Sequence, residues 1–211
     1  MFTPDSEPYL GRSSVYKFDN IIGVTVPMLA KMGALSRQES ATLTRLQRAA
    51  CELVPQGVSI ALAIRELIRQ GYLFGAAVML RPLLERVAIT AYLHEDETRV
   101  HLWEAGWPHG KRPSLQTMVD LMIPEHAKHG GREAVRMFNH LTHGDPVGAS
   151  FNRISLQDGS EGFSMGKMLN EPRLCDFVCE QAWAWLAALA AHASGIMGPL
   201  YSGASQATGE E

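Results

Sequence analysis

The 211-residue sequence predicts an all-α fold with one irregular insertion. Apolar residues recur at helical spacing along most of it. The residues that start and stop helices, Ser at the front and Gly or Pro at the end, fall between those runs. Val147 to Gly166 departs from the pattern, turning irregular and Gly-rich. An apolar fraction of 46% with 19% charged residues is ordinary for a globular domain. The length suits one core rather than two.

Taken in order, residues 1–20 hold Pro4, Pro8 and Gly11 among polar residues and predict an irregular arm. A single domain is expected over 21–200. Ile21 to Leu35 is apolar but punctuated by Gly23, Pro27 and Gly33, so a short helix after Pro27 is expected. Ser36 reads as an N-cap, with Glu39 completing a capping box. The helix that follows turns Leu43, Leu46, Ala50 and Leu53 inward, and Pro55-Gln-Gly57 breaks or bends it. Ser59 to Leu93 then reads as two apolar helices meeting at Gly71, where a C-cap wants a left-handed residue. Ile60, Ile64, Leu67 and Ile68 share one face of the first. The second is apolar almost all round, and Pro82 should kink it, freeing the carbonyl of Val78. A short helix from Thr98 to about Trp107, a PHGKRP loop and a Ser114-capped helix stopped by Pro124 come next. Gly130-Gly131 opens a helix from Arg132 to about His143, closed by Gly144-Asp-Pro146. Phe151 to Leu156 and the DGSEG turn suit a small hairpin or a lid-like loop. Glu171 to Met197 is the last long helix, and 201–211 reads as a disordered tail.

Net charge is −3 and the isoelectric point near 6.2. That excludes broad, charge-driven coating of DNA or anionic membrane, but not a small basic pocket for one phosphate. Arg81, Glu85 and Arg86 interrupt the apolar segment from Tyr72 before it reaches spanning length, so no membrane partner is expected. The start, MFTPDSEPYLGRSS, lacks a basic-then-apolar export pattern. Three cysteines cannot all pair, which fits a reduced cytoplasmic setting.

Chemistry concentrates in REAVRMFNHLTHGDP, residues 132–146. On a helix Arg136, His140 and His143 share one face, with Arg132 one turn earlier. A permanent guanidinium beside two imidazoles suits phosphodiester chemistry: the arginine holds phosphate and a histidine moves the proton of a ribose hydroxyl. No metal or other cofactor is then required. Arg81 and Glu85, four apart in the apolar helix, are expected to pair with each other or to face a polar cleft, mostly buried either way. His126 and His129 with His140 and His143 suggest a metal site only weakly, because no carboxylate completes a ligand motif.

The run GYLFGAAVMLRPLLERVAITAYL, followed about fifty residues on by RMFNHLTHGDP, resembles the HEPN-like helical families of prokaryotes, and among them the uncharacterised group DUF5677. That group carries Arg-x-x-x-Glu amid aliphatics, matched by Arg81 and Glu85. It also carries a later His-Gly-Ser/Asp-Pro-like turn, matched by His143, Gly144, Asp145 and Pro146. HEPN ribonucleases place four to six residues between an Arg and a His, as between Arg136 and His143 here. Many set a polar residue directly after that Arg, where this chain has Met137, with Asn139 following later. The resemblance implies a HEPN-like bundle and a metal-independent RNA endonuclease acting as a homodimer. Arg136 would hold the phosphate, His143 transfer the proton and His140 assist, with Arg81, Glu85, Asn139 and Asp145 binding or orienting. It also implies RNA and an antitoxin protein as partners, in toxin–antitoxin or phage-defence systems. The alternative is a non-catalytic helical module that binds a nucleotide, RNA or a partner protein.

Overall fold

Four long helices make the frame. In the computed structural model, which describes residues 7–38, 40–156, 158–164 and 166–207, these are α1 (Ser13–Gln38), α2 (Arg45–Arg69), α4 (Leu80–Glu95) and α9 (Pro172–Ala207). α3 (Leu73–Val78) leads into α4. α2 runs opposite to the other three. Gln47 meets the Ile196 carbonyl at 3.4 Å, while Gln56 meets Arg86 at 2.8 Å. Ser14 reaches Asp176 and Ser194 reaches Met28, so α1 and α9 run side by side in one direction. α2 and α9 also touch across the middle, and among the described residues the fold is all-α apart from one hairpin.

The local signals explain most of these bounds. Thr44 and Gln47 form a reciprocal capping box at the start of α2. This corrects the expected box at Ser36: α1 runs straight through Ser36, whose hydroxyl bonds the Gly33 carbonyl at 3.1 Å. Glu39 lies outside the described residues. Gly71, at φ +82°, ends α2 in the expected manner. Its own N–H bonds Ile68 O at 2.9 Å and the N–H of Tyr72 bonds Leu67 O at 2.8 Å, a paired Schellman closure. Pro82 breaks the next helix as its missing donor requires, and Met79 joins the two pieces, α3 and α4.

Three expectations are overturned. The arm at 1–20 is helical from Ser13, because Ser14, Val15 and Phe18 are buried and Arg12 pairs with Asp176. Pro27 and Pro55 lie inside unbroken helices, where apolar burial on both sides outweighs one lost hydrogen bond each. α9 continues through Pro199 to Ala207, into the stretch expected to be disordered.

α9 is long and apolar enough over Pro172–Pro199 to cross a membrane. Its stripe of Cys175, Val178, Ala182, Leu186, Leu189 and Ala193 is buried in the common core. Gly57 of α2 makes room for that stripe, since a Cβ there would lie 2.4 Å from Leu189 Cδ2.

The remaining elements pack around this frame. α5 (Val100–Glu104) closes against the start of α2, where Arg45 pairs with Glu104. α6 (Leu115–Met122) is capped by the Ser114 hydroxyl as expected and packs on α4. α7 (Lys128–His143) packs on α6, α3 and α4, and α8 (Pro146–Ser150) on α7. The expected hairpin is present: β1 (Arg153–Ser155) pairs antiparallel with β2 (Glu161–Phe163), Ile154 opposite Gly162.

Candidate active site at the end of helix α7

α7 begins earlier than its glycines suggest. Gly131 sits inside it, where a Cβ would lie 2.1 Å from Ile123 Cδ1, so glycine sets the close approach of α6. Val135, Phe138 and Leu141 bury the inner stripe. The opposite side carries the polar residues singled out above. Gly144, at φ +65°, ends the helix and swings the chain back into α8.

That turn fixes Asp145. One carboxylate oxygen caps α8, accepting the N–H of Val147 at 3.0 Å and of Gly148 at 3.1 Å. The other oxygen pairs with His140 Nδ1. The bond from His140, then that from Gly148, holds the Asp145 carboxyl below the usual carboxylate range. An ionised carboxylate only accepts, so Nδ1 carries the proton and the Nε2 lone pair is left open. Nε2 has no partner among the described residues. His140 is about one third exposed at 33% and lines a cleft of about 230 Å³ with Glu133, Arg136, Met137 and Val147. Arg136 is exposed, and its one ion pair among the described residues, 2.7 Å to Glu133, is of the surface kind that exchanges readily. A dyad of carboxylate and imidazole thus shares a cleft with an available guanidinium.

His143 has a different neighbour. Arg81 Nη1 donates to His143 Nε2 at 2.9 Å, since a guanidinium has no acceptor. This occupies the lone pair that a general base would use. The structure therefore groups Arg136 with His140, and His143 with Arg81. Arg81 and Glu85 do not pair, and both are half-buried rather than mostly buried. Glu85 turns to Arg112, in the loop before α6, with Arg86 at 3.8 Å. Arg81 does reach the helix that carries Arg136. Asn139 holds its Oδ1 in the interior without a partner among the described residues. Arg132 pairs with Asp120 of α6 at 3.4 Å. Three or more His, Cys, Asp or Glu side chains placed to hold a metal do not occur together among the described residues.

A neighbouring cavity was not legible in the sequence. It measures about 370 Å³, is lined by Phe151, Arg153, Glu171, Arg173, Leu174 and Phe177, and shares Met137 with the first cleft. Its residues come from α7, β1 and α9 and the ends of their connections, so no local spacing announces it. Phe151 and Phe177 are half-buried, while Arg153 and Arg173 are exposed. Comparison with known proteins found no matching family model, no matching curated protein and no matching solved structure.

Proposed function

We propose that the end of α7 is the active site of a metal-independent RNA endonuclease with a HEPN-like fold, acting as a homodimer in the cytoplasm. The observation that carries this reading is the Asp145–His140 dyad opening onto the same cleft as Arg136. Asp145 holds the imidazole in the tautomer whose Nε2 accepts a proton. Nε2 takes the proton of a ribose 2′-hydroxyl, the 2′-oxygen attacks phosphorus, and the bond to the 5′-oxygen breaks. The second copy's dyad returns a proton to that leaving oxygen. Arg136 releases Glu133 and stabilises the charge gathering on phosphate. Phe151 and Phe177 offer apolar faces to a base next to the scissile bond, and Arg153 and Arg173 offer cations to its phosphates. His143 and Arg81 position the end of α7. A toxin–antitoxin or phage-defence role, with an antitoxin protein as partner, follows the same reading.

The test is cleavage of RNA in EDTA with analysis of the ends. Products should carry a 2′,3′-cyclic phosphate and a 5′-hydroxyl. His140→Gln should lower the rate by about two to four orders of magnitude, and Arg136→Ala by about two to three. Loss of activity in EDTA, or full activity in His140→Gln, sinks the proposal. A well-folded dimer that cleaves no RNA supports the binding module instead. The Phe151–Phe177 cavity with its two arginines favours that second reading, because it suits a nucleotide whether or not a bond is cut.

A further inference from the structure

At the far end of α4 from Arg81, His94 faces His192 of α9 with Nδ1 to Nδ1 at 3.1 Å. The ring planes stand at 90°, with centroids 5.4 Å apart. Both rings are half-buried. An ordinary structural histidine gives its Nδ1–H to a carbonyl or a carboxylate. Among the described residues each Nδ1 here finds only the other imidazole, so two lone-pair positions face each other with a single proton between them. Gly195 makes this possible, because a Cβ there would lie 2.7 Å from His94 Cε1. A glycine is otherwise a poor choice inside a helix.

We infer that His94 and His192 form a two-histidine clamp for a late first-row divalent cation, which replaces the shared proton and ties α4 to α9. Zinc bound to two imidazoles at 2.0–2.1 Å in tetrahedral geometry sets its nitrogens about 3.3 Å apart. The observed 3.1 Å needs only a small opening, but centroids 5.4 Å apart set the two lone pairs nearly head-on, so each ring must also turn by about 35° to aim at a tetrahedral ion. Imidazole ligands with no thiolate suit zinc, nickel or copper rather than calcium or magnesium. Water fills the remaining positions on the open side, where the exposed Glu95 adds negative charge. The clamp sits 13 residues along α4 from Arg81, about 20 Å. It is a structural site and stands independently of the ribonuclease reading.

The experiment titrates zinc into the full chain, stripped with chelator, and follows heat and melting temperature. The expected result is one zinc per chain with a rise of several degrees at about 100 μM metal. His94→Gln, His192→Gln and Gly195→Ala should each weaken binding by roughly tenfold or more. A variant with His129→Gln, His140→Gln and His143→Gln should keep the response, showing that the α7 imidazoles are not its source. If the clamp variants do not fold, electron paramagnetic resonance of copper on the wild-type chain decides, with two imidazole nitrogens expected. No zinc bound by the wild type, binding unchanged in His94→Gln and His192→Gln, or a single nitrogen on copper overturns the inference.

Discussion

Replacing Gly148 with alanine tests whether α8 builds the site. A Cβ at this position would lie 2.2 Å from the His140 carbonyl oxygen, 2.8 Å from its carbon and 3.2 Å from Leu141 Cα. Carbon atoms in ordinary contact sit about 3.5 Å apart, so α8 must back away from α7 by roughly 1 Å. The obstructing atoms are helix backbone, which cannot swing aside as a side chain would. Overpacking of this kind costs about 1–3 kcal/mol, and alanine returns up to about 1 kcal/mol through helix propensity. The net loss is up to about 3 kcal/mol, or up to about 12 °C in melting temperature for a chain of this length. The retreat also draws Asp145 off His140. Thermal and urea unfolding measure the first effect, and the imidazole nitrogen shifts of His140 measure the second. A Gly148→Ala variant as stable as the wild type, with the His140 tautomer unchanged, would refute the close packing of α8 on α7.

Three further outcomes follow from the same contacts. Glu85→Ala should cost less than about 1 kcal/mol, because Glu85 and its partner Arg112 are 25% and 54% exposed; a loss near 3 kcal/mol in denaturant titration would restore the buried Arg81–Glu85 pair expected from sequence. Arg65→Met should cost about 3–5 kcal/mol in the same titration, since it strands Glu7, only 4% exposed, without a counter-charge. Asp145→Asn should keep the α8 cap but lose the charge-assisted bond to His140, so the melting temperature at neutral pH should fall slightly, while cleavage falls by about three orders of magnitude or more through reversal of the His140 tautomer. Because the folded Asp145 carboxyl titrates below its unfolded value, its stabilisation is full above about pH 4 and lost as pH falls through the folded value. Acid titration of stability should therefore show less loss in the Asn variant than in the wild type.

The helices were legible wherever one local device decided them. Gly71, Pro82, Ser114 and Gly144 each act through their own backbone or a side chain within one turn. The errors occurred where distant residues decide. Phe18 and Asp176 make the N-terminal arm helical, though 158 positions separate them. Core packing on both flanks carries α1 past Pro27 and α2 past Pro55. At the site, the helical face shared by Arg136, His140 and His143 was readable from spacing, but the partners were not. Arg81 meets His143 from 62 residues away, and Glu85 meets Arg112 across 27. The second cavity draws on three separate elements, and nothing in its sequence neighbourhood joins Phe151 to Phe177.

Partner chemistry is what separates His140 and His143 at the end of α7, which lie less than one helical turn apart and would read alike from spacing. A carboxylate accepts, so His140 must donate at Nδ1 and is left with an open lone pair. A guanidinium donates, so His143 must accept and its lone pair is spent. The carboxylate itself is locked by two backbone amides of α8, whereas Arg136 is held only by an exposed glutamate that solvent screens. The base is thus fixed in place and tautomer before any ligand arrives, while the cation that would meet a phosphate remains free to move. Rigid proton acceptor and mobile counter-charge are the division of labour that phosphodiester cleavage asks for, because the attacking hydroxyl must be met in line while the charge on phosphate shifts during reaction.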